Sequence, residues 1–139
     1  MEIDYKVNHP ITVNQYIELM NKTALNECRS IDDEAIVQGI LNNSNLIVTA
    51  WVDEQLVGLA RAMTDFYDCC YLSDLVVDES VQSMGIGKYL ILVAAESVAE
   101  RCKIVSLSGP KAAGYYSKIG FKEQNSAWVL TDISELVLP

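Results

Sequence analysis

The segment from Gln82 to Lys88 constrains the fold of this chain more than any other stretch. It reads Gln-Ser-Met-Gly-Ile-Gly-Lys and lies between two apolar runs, at 72–77 and at 89–95. This order predicts a strand, a glycine loop and the start of a helix. Two glycines one residue apart let the backbone approach a ligand closely, and the free amide groups at a helix start bind anions. The segment therefore predicts a cradle for a pyrophosphate group.

Two other glycine-loop motifs fail at their own spacing. A Walker loop needs a glycine five residues before its Gly-Lys pair and a hydroxyl residue after it, but Gln82 and Tyr89 stand there. A dinucleotide-binding fingerprint needs a third glycine at the position of Leu90. A helix start that binds no ligand is the remaining alternative for a single Gly-x-Gly.

The composition favours one folded domain. The chain has 139 residues, and 50% of them are hydrophobic, which suits one core, so we predict a single domain of residues 1–139. No apolar run is long enough to cross a bilayer, and the first six residues lack the features of a signal peptide. We therefore predict a cytoplasmic protein with no membrane partner.

Charge and cysteine content exclude several kinds of site. The net charge of −9 and the lack of a Lys/Arg cluster argue against a nucleic-acid partner. A cationic small molecule fits better, although many soluble proteins are acidic for solubility alone. Four cysteines without Cys-x-x-Cys spacing and one histidine argue against a metal site and against a Ser-His or Cys-His catalytic pair. Adjacent Cys69 and Cys70 point to opposite faces of a strand, so we predict buried free thiols.

The hydrophobic pattern predicts the mixed α/β order β-α-α-β-β-β-α-β-α-β-β. Thr12 is predicted to cap the first helix, Asp53 and Glu54 to join two strands as a hairpin, and Gly120 to close the last helix. Strands are predicted at 2–7, 46–52, 55–63, 70–77, 104–108, 121–124 and 127–130, and helices at 13–23, 31–41, from the glycine loop to about Arg101, and at 111–119.

Two motifs on these elements resemble one known family. Gln-x-x-Gly-x-Gly after a Leu-Val-Val strand resembles the coenzyme-A loop of the GNAT superfamily of N-acetyltransferases. The segment from Ala112 to Phe121 is similar to the family's Ala-x-x-x-Tyr-x-x-x-Gly-Phe pattern. The element order matches the GNAT fold over nearly the whole chain. The resemblance implies a mixed α+β fold whose central, mostly antiparallel sheet has a splayed centre and is flanked by about four helices.

The resemblance also implies acetyl-CoA as co-substrate, with no metal. Its pantetheine arm would pair with the backbone of the central strand, and the loop amides would hold its pyrophosphate. A side chain at Gly85 or Gly87 would push the phosphates away, and we expect a positive φ at Gly87. The implied binding residues are Leu75, Val76, Val77, Gln82, Ser83, Met84, Gly85, Ile86, Gly87 and Lys88.

The resemblance assigns the general acid to Tyr116, whose phenol would protonate the departing thiolate, and we interpret Tyr115 as a packing residue. Two positions depart from the family pattern. Gly109 replaces an asparagine that contacts the cofactor in many members, and Tyr71 replaces a glutamate that is catalytic in some. No general base is therefore evident. Asp65, Asp68, Ser73 and Asp74 lie near enough in sequence to be candidates.

Acceptor-binding residues are predicted mainly in loops, which usually set specificity over a fixed sheet. Acids beside aromatics suit a cationic amine, either a small molecule or a peptide. A protein N-terminus, a lysine, a polyamine and an aminoglycoside all stay open, as does a homodimer. The predicted acceptor-binding residues are Arg29, Asp65, Tyr67, Asp68 and Ser73.

Two functions follow from these patterns. The first is acetyl-CoA-dependent N-acetyl transfer to a primary amine by direct attack, because no nucleophile-base pair supports a covalent acyl-enzyme. The alternative is a non-catalytic acyl-CoA-binding or regulatory module of the same fold, which the lack of a base favours and the retention of Tyr116 opposes.

Overall fold

The computed structural model describes residues 2–23, 32–109 and 112–139, in two compact units, Met1–Leu107 and Ser108–Pro139. Most of the secondary structure belongs to the first unit, and α4 (Ala113–Lys118) belongs to the second. The first unit contains β1 (Asp4–Val7), α1 (Val13–Met20), α2 (Glu34–Asn42), β2 (Leu46–Val52), β3 (Gln55–Thr64), β4 (Cys69–Val77), α3 (Ile86–Glu96) and β5 (Lys103–Val105). These elements confirm the mixed α+β class, whereas the single-domain prediction stays a prediction.

The five strands form one open sheet in the order β1-β2-β3-β4-β5. The first four are antiparallel neighbours, and β4 and β5 are parallel. Parallel neighbours need a crossover connection, which α3 provides between these two strands. The prediction of a mostly antiparallel sheet is therefore confirmed.

Successive residues of β3 face opposite layers of the first unit. Leu59 belongs to a buried cluster with Tyr16 of α1 and Val37 of α2. Gly58 faces α3 instead, and a Cβ added there would lie 3.1 Å from Leu90 Cδ1 and 3.2 Å from Ile86 Cγ2. The sheet thus has α1 and α2 on one face and α3, packed closely at Gly58, on the other.

We expect Gly58→Val to destabilise the first unit by about 1–3 kcal/mol, the usual cost of overpacking. The reason is that the valine side chain would meet α3 and the Ala50 Cβ, which lies 3.3 Å from the added Cβ. Gly39→Val is the matched control, because a Cβ at this α2 glycine meets no atom within 4 Å. Denaturation by urea measures both effects, and equal unfolding midpoints for the two variants would contradict this packing argument.

Local side-chain signals start and connect the elements. Thr12 forms a reciprocal capping box with Gln15 at the start of α1, as predicted, whereas Asp33, which the predicted helix at 31–41 includes, instead caps α2. Asp53 and Glu54 have φ values of 48° and 66°. Positive φ at both central residues is what a two-residue hairpin turn of type I′ requires. The start of the first helix and the β2–β3 hairpin are therefore confirmed, while α1 ends at Met20 rather than at Thr23.

Helix α3 is shorter than predicted, since it ends at Glu96 rather than near Arg101. The chain then turns, and the Ala99 N–H donates to the Phe66 carbonyl oxygen at 2.7 Å. This bond ties the segment after α3 to the β3–β4 loop and directs it into β5. The apolar pattern does not encode this tertiary contact, which directs the chain after Glu96 away from the helix.

In the second unit, the predicted hairpin at 121–124 and 127–130 is wrong. Neither segment is a strand, and Trp128 is 92% exposed. Alternating polarity is a local pattern, but a strand also needs a partner, and an isolated hairpin is marginal in water. Gly120 has a φ of 109° directly after α4, which confirms it as the glycine that closes this helix.

The cysteine prediction holds in part. Cys69, Cys70 and Cys102 are free thiols, while Cys28 lies outside the described residues. Cys69 is exposed and Cys70 is buried, so the two do point to opposite faces, but burial applies to Cys70 alone of this pair. Burial raises the pKa of the Cys70 thiol. Across the described ranges, no helix has the length and hydrophobicity that crossing a membrane requires.

Candidate functional site

The second half of β4 has an open edge. Its pairing with β5 ends at the Tyr71–Val105 pair, whereas its pairing with β3 continues to the Gly58–Val77 pair. Among the described residues, no strand pairs with β4 on the β5 side beyond Tyr71. The sheet therefore divides between its fourth and fifth strands, and the splayed centre that the resemblance implies stays a prediction.

Alternate residues of this edge offer their peptide groups to a ligand. The Asp78 N–H donates to the Val57 carbonyl oxygen at 2.8 Å. Since antiparallel partners alternate, Val76 pairs with β3 through its own peptide groups, while Leu75 and Val77 direct theirs away from β3. The Val76 side chain is buried. Of the three predicted residues, Leu75 and Val77 are thus placed to bind an extended ligand as an added strand, and the Val77 carbonyl oxygen also accepts the Gln82 side chain.

A short loop turns the chain from β4 into α3. A 3₁₀ turn at Glu79–Val81 follows the strand and is capped by the Asp78 carboxylate, which accepts from the Ser80 N–H at 2.9 Å. The Gln82 Nε2 then donates to the Val77 carbonyl oxygen at 3.2 Å. These bonds hold the start of the glycine loop against the end of β4.

The N-terminus of α3 has no side-chain cap. Gly85 is the N-cap residue, and its carbonyl oxygen accepts the Tyr89 N–H at 3.0 Å. The amides of Ile86, Gly87 and Lys88 precede this first helical bond. Such amides are the unsatisfied donors that bind anions at helix starts. They fit a pyrophosphate group such as that of CoA.

The expected positive φ at Gly87 is wrong. Gly87 is buried in the first turn of α3, and the positive values belong to Ser83 at 69° and Gly85 at 79°. A Cβ added at Gly85 would meet no atom within 4 Å. The space beside Gly85 is therefore open to a ligand, while Met84 and Lys88 expose their side chains to solvent.

Tyr116 lies in α4 of the second unit. Its ring contacts those of Tyr115 and Phe121 edge-on, with centroids 5.6 Å and 5.1 Å apart. Its carbonyl oxygen accepts the Phe121 N–H at 3.0 Å. Burial raises the pKa of Tyr115, and its neighbour Tyr116 raises it further. The aromatic contacts hold the Tyr116 ring without using its hydroxyl.

The β3–β4 loop contains three of the predicted acceptor-binding residues. The Asp65 Oδ1 accepts the amides of Tyr67, Asp68 and Cys69 at 2.8–3.0 Å. These bonds, that of Asp68 first, lower the pKa of the Asp65 carboxyl. The ionised group therefore stabilises the loop above the pKa of an unfolded aspartate, and this contribution is lost as the pH falls through the lowered value.

Other charges in this loop are also paired. The Asp68 Oδ1 lies 3.7 Å from Arg101 Nη2 and 3.6 Å from Lys103 Nζ, all on exposed side chains. Tyr67 is 73% exposed. Arg29 lies outside the described residues. The structure thus brings Asp65, Tyr67 and Asp68 together, and their role toward an acceptor stays a prediction.

The sequence patterns did not single out a buried polar network beside the site. Arg61 Nε donates to Asp74 Oδ2 at 2.6 Å, and Arg61 Nη2 donates to the Ser73 Oγ at 2.9 Å. The Tyr16 hydroxyl donates to the same Asp74 oxygen at 2.8 Å. Arg61 and Asp74 each stand inside an apolar strand, and this signal could have predicted their pairing. Asp74, a candidate base, is 1% exposed and engaged in this network.

No metal cluster is found in the part of the chain that the structure describes. Within residues 2–23, 32–109 and 112–139, no group of three or more His, Cys, Asp or Glu side chains is arranged to hold a metal ion.

Comparison with known proteins identifies the family. The family described as "Acetyltransferase (GNAT) domain" matches residues 16–134, which include the open strand, the glycine loop and Tyr116. Since this match covers most of the sequence, the chain belongs to the GNAT acetyltransferase family.

Individual relatives agree with this assignment. GCN5-related N-acetyltransferase 1, chloroplastic, from Arabidopsis thaliana is 32% identical over 95 residues, or 64% of this chain and 47% of that protein. The chain spans about half the length of the curated relatives it matches. Because that relative is named as a chloroplast protein, the cytoplasmic location of this chain stays a prediction.

Solved structures share the fold at low identity. A protein from Clostridium acetobutylicum, described as a predicted acetyltransferase with acetyl-CoA, has a TM-score of 0.75 at 16% identity over 97% of this chain and 99% of its own. Aminoglycoside N-acetyltransferase AAC(6')-Iy, in complex with CoA, has a TM-score of 0.71 at 18% identity over 95% of each chain. At these identities the likeness shows the fold alone.

Proposed function

We propose that this protein is an acetyl-CoA-dependent N-acetyltransferase that acts on a primary amine by direct attack. One observation carries the proposal: the open edge of β4 leads directly into an uncapped helix start at Gly85. An extended arm bound along the edge and a pyrophosphate bound at the helix start are the two requirements of CoA. Family membership supplies the acetyl group as the transferred unit.

The pantetheine arm and the pyrophosphate of CoA each have their own binding groups in this proposal. The peptide groups of Leu75 and Val77 bind the pantetheine arm as a strand binds its neighbour. The amides of Ile86, Gly87 and Lys88 bind the pyrophosphate, and the Lys88 side chain adds positive charge. Peptide groups make these contacts, so side-chain identity matters little except where a Cβ would intrude.

The reaction itself exchanges one bond to the acetyl carbon for another. The neutral amine attacks the thioester carbonyl, a C–N bond forms, and the C–S bond breaks as the tetrahedral intermediate collapses. Tyr116 donates its phenolic proton to the departing thiolate, because a phenol carries its proton at neutral pH, and the phenoxide that results takes a proton from solvent. Because no general base is assigned, the attacking amine loses its own proton to solvent water.

A non-catalytic acyl-CoA-binding module is the second candidate. The candidate bases favour it, because the carboxylates of Asp65, Asp68 and Asp74 already form hydrogen bonds with amides or ion pairs with cations. Retention of Tyr116 in the family pattern opposes this candidate.

Binding and chemistry are tested separately. Calorimetry with CoA measures the first, and release of free thiol from acetyl-CoA over a panel of peptides, polyamines and aminoglycosides measures the second. We expect CoA binding together with amine-dependent thiol release. CoA binding without release for any amine would favour the module, and no CoA binding at all would refute both candidates.

Direct attack predicts that no acetyl group becomes attached to the enzyme. Cys69 is exposed and is the thiol to monitor, with Cys102 as a partly exposed comparison. After incubation with acetyl-CoA alone, intact-mass spectrometry should show the unmodified mass. Stoichiometric acetylation of one cysteine, lost in its Cys→Ser variant and discharged by added amine, would replace direct attack with a covalent intermediate.

A further inference from the structure

The open edge of β4 begins at an irregularity in the sheet. Arg61 lies opposite Asp74 and Ala62 lies opposite Leu72, so the register of the two strands skips Ser73, which is an extra residue on β4. Such a β-bulge bends its strand and increases the local twist. The bulge lies between the part of β4 that pairs with β5 and the open edge that follows it.

One guanidinium group holds both residues of the bulge. Arg61 Nη2 donates to Ser73 Oγ at 2.9 Å, and Nε donates to Asp74 Oδ2 at 2.6 Å. Nη1 donates to Ser44 Oγ, just before β2, at 3.0 Å. Arg61 is 6% exposed and Asp74 is 1% exposed. The bulge is thus clamped from a neighbouring strand, inside the layer between the sheet and helices α1 and α2.

A buried ion pair is a poor explanation of stability alone. Desolvating two charges costs as much as their attraction returns, and an apolar pair of similar size is often equally stable. A rigid, forked guanidinium does, however, fix the relative positions of the groups that it bonds. The hydrogen bonds of the Arg61 guanidinium therefore explain a fixed shape of β4 better than they explain a gain in folding stability.

We infer that Arg61 is a positioning residue for the pantetheine arm. By holding Ser73 and Asp74 it sets the bend of β4, and this bend aims the peptide groups of Leu75 and Val77 into the gap beside β5. Arg61 itself touches no substrate in this role. The inference rests on the proposed function. It adds a residue that affects the binding of the pantetheine half of CoA and leaves the binding of the nucleotide half unchanged.

The test compares CoA with 3′-phosphoadenosine diphosphate, the half of CoA that lacks the pantetheine arm. The Arg61→Lys variant keeps a positive charge opposite Asp74, but a single ammonium does not reproduce the fork that reaches Ser73 and Ser44. Calorimetry should show CoA affinity lowered roughly tenfold, because one or two backbone hydrogen bonds to the pantetheine arm would be lost. Affinity for the nucleotide half should be unchanged, because the glycine loop is intact.

A second variant separates shape from stability. Arg61→Met combined with Asp74→Leu removes both buried charges together, and with them the acceptor of the Tyr16 hydroxyl. We expect this variant to stay folded, as removal of a whole buried ion pair usually allows, while losing the same preference for CoA over the nucleotide half. Thr49→Val is the matched control. It deletes a buried hydroxyl on β2, 2.7 Å from Trp51 Nε1, and should leave the ratio of the two affinities unchanged.

The outcomes separate this inference from the function on which it rests. An unchanged affinity ratio in Arg61→Lys and in the double variant would overturn the positioning role. An equal loss for CoA and for its nucleotide half would also overturn it, because a merely structural residue behaves in that way. Failure of the wild-type protein to bind CoA would instead refute the proposed function, and the inference with it.

Discussion

The Tyr116→Phe variant should transfer acetyl groups about 10²–10⁴-fold more slowly than the wild-type protein, the range usual for loss of a general acid. The substitution deletes one hydroxyl and keeps the ring that packs on Tyr115 and Phe121. Folding and the KM for acetyl-CoA should therefore change little, and the loss should appear in kcat. Single-turnover measurement is needed, since slow product release would hide a change in the chemical step.

Tyr115→Phe is the matched control for this prediction. It removes the same atom from the adjacent residue of α4, whose hydroxyl has no role in the proposed reaction. The control should transfer acetyl groups at the wild-type rate. If Tyr116→Phe also does so while circular dichroism shows an intact fold, Tyr116 is a packing residue and the thiolate leaves unassisted or takes its proton from water.

Substitution of the N-cap glycine should have the second largest effect. Gly85→Val places a β-branched residue at a φ of 79°, which L-residues avoid, and directs its side chain into the open space beside the helix start. Misplacing one or two amide bonds to a pyrophosphate lowers affinity by roughly 10- to 100-fold. Calorimetry with CoA and with 3′-phosphoadenosine diphosphate should show the same loss for both ligands, unlike the Arg61 variants.

Gly120→Val controls for backbone strain. Gly120 has a φ of 109°, and a Cβ added there likewise meets no atom within 4 Å. This glycine lies at the end of α4 and not in the glycine loop. Both variants should lose stability, and only Gly85→Val should lose CoA affinity. Equal loss of CoA affinity in the two variants would mean that general strain, not the loop, explains the effect.

The glycine loop could be predicted because its signals are local. An apolar run, a Gln-x-x-Gly-x-Gly segment and a second apolar run determine a strand, a turn and a helix whatever the rest of the chain does. Which of the two glycines has a positive φ could not be predicted from the sequence. Two glycines one residue apart are equivalent in the sequence, and only the observed helix start, which includes Gly87 and excludes Gly85, distinguishes them.

The failed hairpin and the short α3 have one physical cause. Alternation at 127–130 and periodicity toward Arg101 describe which side chains would share a face, but not whether a partner covers that face. The structure leaves Trp128 exposed and ends α3 where Ala99 bonds to the β3–β4 loop. Both outcomes depend on residues distant in sequence.

Sequence alone determined the class of fold, the first helix cap, the β2–β3 hairpin and the place of the glycine loop. These features follow from backbone sterics and short-range periodicity, which act within a few residues. Tertiary structure decided the rest: which peptide groups of β4 face the gap, which acids are already bonded, and how Arg61 meets Ser73 and Asp74 across a bulge. Strand register decides which residues face each other, and burial decides which polar groups lose contact with water. The energy of a charged side chain depends on both, so these contacts cannot be predicted from the local sequence.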